Sequence, residues 1–202
     1  MAYASWVTPN KQSGSGNDTV SWAGSAHTGR NSRTTTATFS ASGVASKTLT
    51  INQAGKTEFV DIADTSAVSK GGGSVTITGT SNSSKLTFSL TGTDNIGLTL
   101  PASYLANSVS TNNGAAITGD PGASQEYTFS ITFTGIPANT TLASKTAQLT
   151  VTTNNGTTDT CDLTQAAGDP YLNISPSTIN LTAAGVADNS VTVTSNTSWT
   201  IS

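Results

Sequence analysis

Charge is what this sequence most conspicuously lacks. Only 9% of its 202 residues are Asp, Glu, Lys or Arg, against about a quarter in an ordinary soluble domain. The eight basic residues are scattered and set against eleven acids, for a net charge of −3. No cationic footprint exists to displace phosphate counterions, which excludes nucleic acid as a partner. One histidine, His27, and one cysteine, Cys161, exclude a His/Cys metal centre and an intrachain disulfide. No apolar run approaches the roughly 18 residues of a membrane-spanning helix, so no membrane partner is expected. The opening MAYASWVTPN has neither a basic n-region nor an apolar h-region, and is not expected to act as a secretory signal.

Hydroxyls fill the place of the missing charge. The chain holds 39 Thr and 28 Ser, a third of its length, and threonine suits pleated, half-buried surfaces better than helices. Alternation of period two recurs throughout: Val75 and Ile77; Leu86, Phe88 and Leu90; Ile96, Leu98 and Leu100; Tyr127, Phe129, Ile131 and Phe133; Leu149 and Val151; Cys161 and Leu163; Val191 and Val193; Trp199 and Ile201. Thr, Ser or Asn mostly occupy the positions between, as strands with one dry and one wet face require. Turn clusters separate the runs, at 13–17, 70–74, 111–114, 119–122 and 154–156. Residues 102–109 are the only stretch expected to form a short helix. The fold class is therefore all-β, a sandwich or barrel of many short strands.

Internal repetition organises the chain. The segment 32–55, SRTTTATFSASGVASKTLTINQAG, lies over the segment that starts at Ser144 with a constant offset of 112. That offset pairs Arg33 with Lys145, Phe39 with Val151, Leu49 with Cys161, Ile51 with Leu163 and Gln53 with Gln165. FVDI (59–62) lies over YLNI (171–174) at the same offset, and SVTITGTSNSSKLTF (74–88) lies over SVTVTSNTSWTI (190–201) at about 113–116. Residues 56–168 thus read as one complete unit. Residues 1–55 read as the second half of a unit, and 170–202 as the first half of another. Joined in that order, the halves make a composite sandwich. Its completion is expected either within one chain, as a circular permutation, or between chains, as strand exchange. Closure within the chain is the favoured alternative, because intramolecular pairing has the higher effective concentration.

The joined halves resemble a BACON domain, the Ig-like module of Bacteroidetes proteins named for presumed carbohydrate binding. The resemblance is carried by YLNISPSTINLTAAG (171–185), by SVTVTSNTSWTIS ending just after Trp199, by SWVTPNKQSGSGNDTVSW around Trp6 and Trp22, and by RTTTATFSASGVASKTLTINQAG. Residues 56–168 depart from the pattern, with Leu86 where tryptophan is expected and a longer middle. The resemblance implies two Ig-like sandwich units. It also implies a place in secreted glycan-degrading enzymes, surface lipoproteins or proteins of crAss-like gut phages, and it implies no catalytic residues.

Candidate chemistry is sparse. A Ser–His–Asp arrangement would have to use His27, which lies in the turn-like GSAHTGRN and reads as a loop histidine. Asp61/Asp64 and Asp159/Asp162 lack the dense spacing of a calcium loop. The glycine-rich stretches 13–17 and 71–73 have no following helix and read as hairpin turns, not phosphate cradles. Cys161 shares a strand face with Leu163 and reads as a small core residue. Trp199 alternates in phase with Ile201 and reads as core. Trp22 is the least constrained tryptophan and the candidate ligand-binding residue, by ring stacking on a sugar. No cofactor, metal site or enzymatic activity is expected.

Two functions follow as expectations. The first is a structural or decoration protein on the surface of a Bacteroides-type phage virion, capsid or tail, assembled in the host cytoplasm. Its partners would be other virion proteins or copies of itself, with weak glycan adhesion gained through many copies. The second is a carbohydrate-binding module or fragment of a secreted or cell-surface Bacteroidetes protein.

Overall fold

A computed structural model describes residues 3–185 and 189–202. Over these residues the chain is all-β, with one four-residue helical turn. It opens with two hairpins. In the first, β1 (Val7–Pro9) pairs with β2 (Trp22–Gly24); in the second, β3 (Arg33–Phe39) pairs with β4 (Lys47–Gln53). A two-sheet sandwich follows, made of β5 (Val60–Ile62), β6 (Thr65–Val68), β7 (Gly73–Ser81), β8 (Leu86–Thr91), α1 (Thr93–Ile96), β9 (Ser103–Ala106), β10 (Val109–Asn112), β11 (Tyr127–Ile136), β12 (Lys145–Thr153) and β13 (Thr158–Gln165). The last hairpin pairs β14 (Leu172–Ser175) with β15 (Thr192–Ser195).

In the sandwich, one sheet runs β10-β9-β11-β7-β5 and the other β6-β13-β12-β8. The period-two stripes become its core. Tyr127, Phe129, Ile131 and Phe133 of β11 are at most 3% exposed, and Leu149, Val151, Cys161 and Leu163 of the other sheet are fully buried. The hydroxyls between them face outward; Thr76 and Thr132, for example, meet across strands at 2.9 Å. Gly79 is needed in the middle of β7. A Cβ there would collide with the carbonyl of Asp61 and the ring of Phe129, so only glycine lets β5 lie this close.

Two local expectations are corrected. Residues 102–109 form no helix: Ser103–Ala106 is β9, because its alternation puts Tyr104 and Ala106 in the core. Ile96, Leu98 and Leu100 form no strand either. Ile96 closes a helical turn held between Gly92 and Gly97, both left-handed with φ of 70° and 77°. Ile96 and Leu98 still reach the core, so the alternation here reports burial and not conformation.

The repeat is visible as geometry. Each β3–β4 pair reproduces a β12–β13 pair at the offset of 112, from Arg33↔Gln53 over Lys145↔Gln165 to Phe39↔Lys47 over Val151↔Asp159. The pairs Leu172↔Ser195 and Ile174↔Val193 of β14–β15 likewise reproduce Val60↔Ser81 and Ile62↔Gly79 of β5–β7. Yet the composite does not close within this chain: among the described residues, no strand of 1–55 pairs with a strand of 170–202. The reason is placement. Arg30 binds beside Asn82, just beyond the end of β7 at Ser81. Asp169 and Asn196 bind Lys70 and Thr140, near the start of β7 at Gly73. The half-units therefore sit at opposite ends of a nine-residue strand, about 27 Å apart along it.

Candidate functional site

Trp22 lies on the open face of the first half-unit. Its ring meets Tyr3 edge-on, with centroids 5.3 Å apart and planes at 89°, and meets Phe39 at 6.5 Å and 74°. These rings, with Pro9, Val20 and Ala37, line a cleft of about 590 Å³, within the range of small-ligand sites. One wall is the β1–β2 connection, closed by Lys11 Nζ donating to Asp18 Oδ1 at 2.6 Å. That bond and the Thr19 backbone N–H hold the exposed Asp18 carboxyl below the usual carboxylate range. The Gly-rich stretch 13–17 is thus a connection between strands, and Gly14 and Gly16 border the cleft.

The same face has a second meaning. Ala37 and Phe39 hold the places that Leu149 and Val151 occupy in the complete unit. Trp22-Ala23-Gly24 matches Phe133-Thr134-Gly135 at an offset of 111, one residue short because β11 carries a bulge between Phe133 and Ile136. Phe133 is fully buried. The cleft is therefore the core side of a sandwich half in which each sheet lacks strands, the counterparts of β5 and β7 in one and of β8 in the other. Trp6 is held differently, with the Arg33 guanidinium 4.5 Å from its ring centroid, a cation–π contact. Trp199 is 46% exposed.

The remaining reactive groups are engaged locally. His27 stands where the complete unit has Asn139, and does the same work. Asn139 accepts from the Thr141 N–H and donates to the Ala143 carbonyl. Correspondingly, His27 Nδ1 faces the Gly29 N–H at 3.5 Å and Nε2 lies 2.7 Å from the Asn31 carbonyl, so its proton belongs on Nε2. Asp159 Oδ2 accepts from the Ile62 N–H at 2.8 Å, and Asp162 Oδ1 from Gln148 Nε2 at 2.8 Å. Burial pushes the Cys161 thiol up, and the nearby Asp162, Asp159 and Asp64 add to this. Among the described residues, no three His, Cys, Asp or Glu side chains gather as a metal site.

Sequence reasoning missed a densely connected polar cluster at the junction of 1–55 with the sandwich. Glu58 is only 2% exposed. Its carboxylate lies 2.9 Å from Arg30 Nε and accepts from Ser83 Oγ and the Asn155 N–H. Arg30 also grips Asp120 with two nitrogens, at 2.6 and 2.8 Å, and donates to the Asn82 carbonyl. The Arg30 fork holds the Asp120 carboxyl below its ordinary range, against the opposing effect of burial. The Asn82 side chain closes the cluster, donating to the Thr57 and Ala123 carbonyls and accepting from the Phe59 N–H.

One signal for this cluster was legible: the Ser-Asn pair recurs at 195–196. There Asn196 donates to the Asp169 and Thr140 carbonyls and accepts from the Tyr171 N–H, while Ser195 Oγ donates to the Tyr171 carbonyl as Ser81 Oγ does to Phe59. The Ser-Asn pair is thus a repeated clamp that fixes how each unit begins. No protein-family model matches the chain, and no curated protein matches it.

Proposed function

We propose that this chain is a non-enzymatic structural protein, a surface or decoration component of a crAss-like phage virion, capsid or tail, built from Ig-like units of the BACON type. The observation that carries the reading is the repeat itself: one complete sandwich between two half-units that keep its strand registers. Such an arrangement serves extension and display rather than turnover. Support also comes from the chemistry: the lone histidine clamps a turn, and the lone thiol lies in the core. The resemblance of 170–202 joined to 1–55 supplies the phage context. Antibody raised against the chain is expected to decorate the capsid or tail of purified particles in immunogold microscopy. Labelling confined to the host envelope would refute the virion reading, and hydrolysis of a polysaccharide lost on changing an acidic pair would refute the non-enzymatic one.

The aromatic cleft favours a second reading, a carbohydrate-binding module with Trp22 as the ring that stacks on a sugar. A cleft this open buries little of a ligand, so single-chain affinity is weak and useful only through multiple copies. On this reading Trp22→Ala reduces glycan retention more than Trp199→Ala. Equal loss, or sub-micromolar monomer affinity by titration calorimetry, would count against it.

A further inference from the structure

We infer that a second copy of this chain completes the open half-unit, the 170–202 hairpin of one molecule packing on the 1–55 hairpins of the next. The complete unit supplies the template residue by residue. In it, Val60 and Ile62 of one sheet, and Leu86 and Phe88 beside β12 in the other, are buried in one core with Leu149, Val151, Cys161 and Leu163. Their counterparts in 170–202 are open to solvent: Leu172 55%, Ile174 54%, Trp199 46% and Ile201 87% exposed. On the other half, Phe39 is 44% and Leu49 37% exposed, although their counterparts Val151 and Cys161 are fully buried. Two unpartnered apolar faces with the same strand registers as a formed sandwich are complementary to each other. A two-stranded hairpin alone is marginal in water.

The opposite-end placement of the halves decides between copies and self-closure. Each molecule offers a donor at one end and an acceptor at the other, a heterologous contact that propagates head to tail. In the complete unit β8 pairs with β12, Thr87 opposite Thr152 and Phe88 opposite Val151. The template then sets Thr200 of one copy opposite Ser40 of the next, on the outward face, and Ile201 opposite Phe39 in the core. The contact would cover the Trp22 cleft. It does not rest on the virion reading, since the purified chain suffices.

The test uses the full chain carrying Ser40→Cys or Thr200→Cys, neither of which removes a core side chain. Opposed residues of an antiparallel pair lie within disulfide range, and wild type, whose only thiol is the buried Cys161, is the control. Mild oxidation of an equimolar mixture is expected to give a mixed disulfide-linked dimer, and the double variant a ladder rising in whole-chain steps. A double variant that consumes its thiols without gaining mass would overturn the inference in favour of closure within the chain. A mixture that stays uncrosslinked would overturn it outright. A readout without substitution comes from tryptophan emission, because Trp6, Trp22 and Trp199 all lie in the half-units. Emission should shift to the blue as concentration rises, and an unchanged spectrum from dilute to concentrated protein would contradict the inference.

Discussion

Asn82 and Asn196 make the same three side-chain hydrogen bonds in two different environments, which allows burial to be separated from chemistry. Asn82 is 3% exposed, and its partners are the Thr57 and Ala123 carbonyls and the Phe59 N–H. Asn82→Ala removes all three bonds where water cannot easily replace them. At about 1 kcal/mol net for each bond, and more for any partner left dry, the cost is about 3 kcal/mol. With an m-value of about 1.5 kcal/mol/M in urea, the midpoint of the sandwich falls by about 2 M. Asn196→Ala removes the matching bonds to Asp169, Thr140 and Tyr171, all at an exposed site. Water takes them over, and the sandwich midpoint should move by less than about 0.7 M. The assay is pulsed alkylation of Cys161 across a urea series, since that thiol sits in the sandwich core. Equal shifts for the two variants would refute the argument, because the bond count would then matter and the burial would not.

Three further outcomes follow from the same structure. The Asp120 carboxyl is held below its ordinary range chiefly by its hydrogen bonds with Arg30; the stability this gives is present above the unfolded value near 3.8 and is lost as pH falls through the lower folded one. Docking of 1–55, followed by proteolysis of that segment, should therefore loosen below about pH 3.8, and Asp120→Asn should reduce that pH dependence, leaving the Arg30–Glu58 pair in place. Leu163→Ala empties a fully buried site and should cost about 2–5 kcal/mol, whereas Leu172→Ala, at 55% exposure, should cost under about 0.5 kcal/mol in dilute protein; thermal unfolding compares them. Native Cys161 should react with alkylating reagents far more slowly than an unfolded control, because burial both covers the thiol and raises its pKa.

The sequence made the period-two stripes legible because regular β-strands alternate faces, and β11 follows its stripe from Tyr127 to Phe133, up to its bulge. It made the repeat legible because the constant offset of 112 over 32–55 preserves register, from Arg33 over Lys145 to Gln53 over Gln165; that His27 stands where Asn139 stands emerges only from their hydrogen bonds. Local conformation was harder to read. Ile96 and Leu98 are buried as the alternation suggests, but flanking left-handed glycines make a helical turn, which the pattern of apolar residues does not distinguish. Ser103–Ala106 has too few residues for either period to dominate, and pairing with β10 and β11 decides it. The Arg30–Glu58–Asp120 cluster was invisible for another reason: Arg30 and Asp120 are 90 positions apart, and an ion pair that distant leaves no periodic trace. Closure within the chain failed on geometry that only the fold supplies, the attachment of the two halves to opposite ends of β7.

Amide hydrogen exchange measured over a range of protein concentrations tests the central claim, that one finished sandwich is flanked by two complementary halves. In dilute protein, β7, β11, β12 and β13 should be strongly protected, while β3–β4 and β14–β15 exchange within the dead time or close to it. As concentration rises, protection should appear in β3–β4 and in β14–β15 together, and leave the central strands unchanged. Protection of both hairpins that is already complete in dilute monomer, or that never appears at any concentration, would contradict the account.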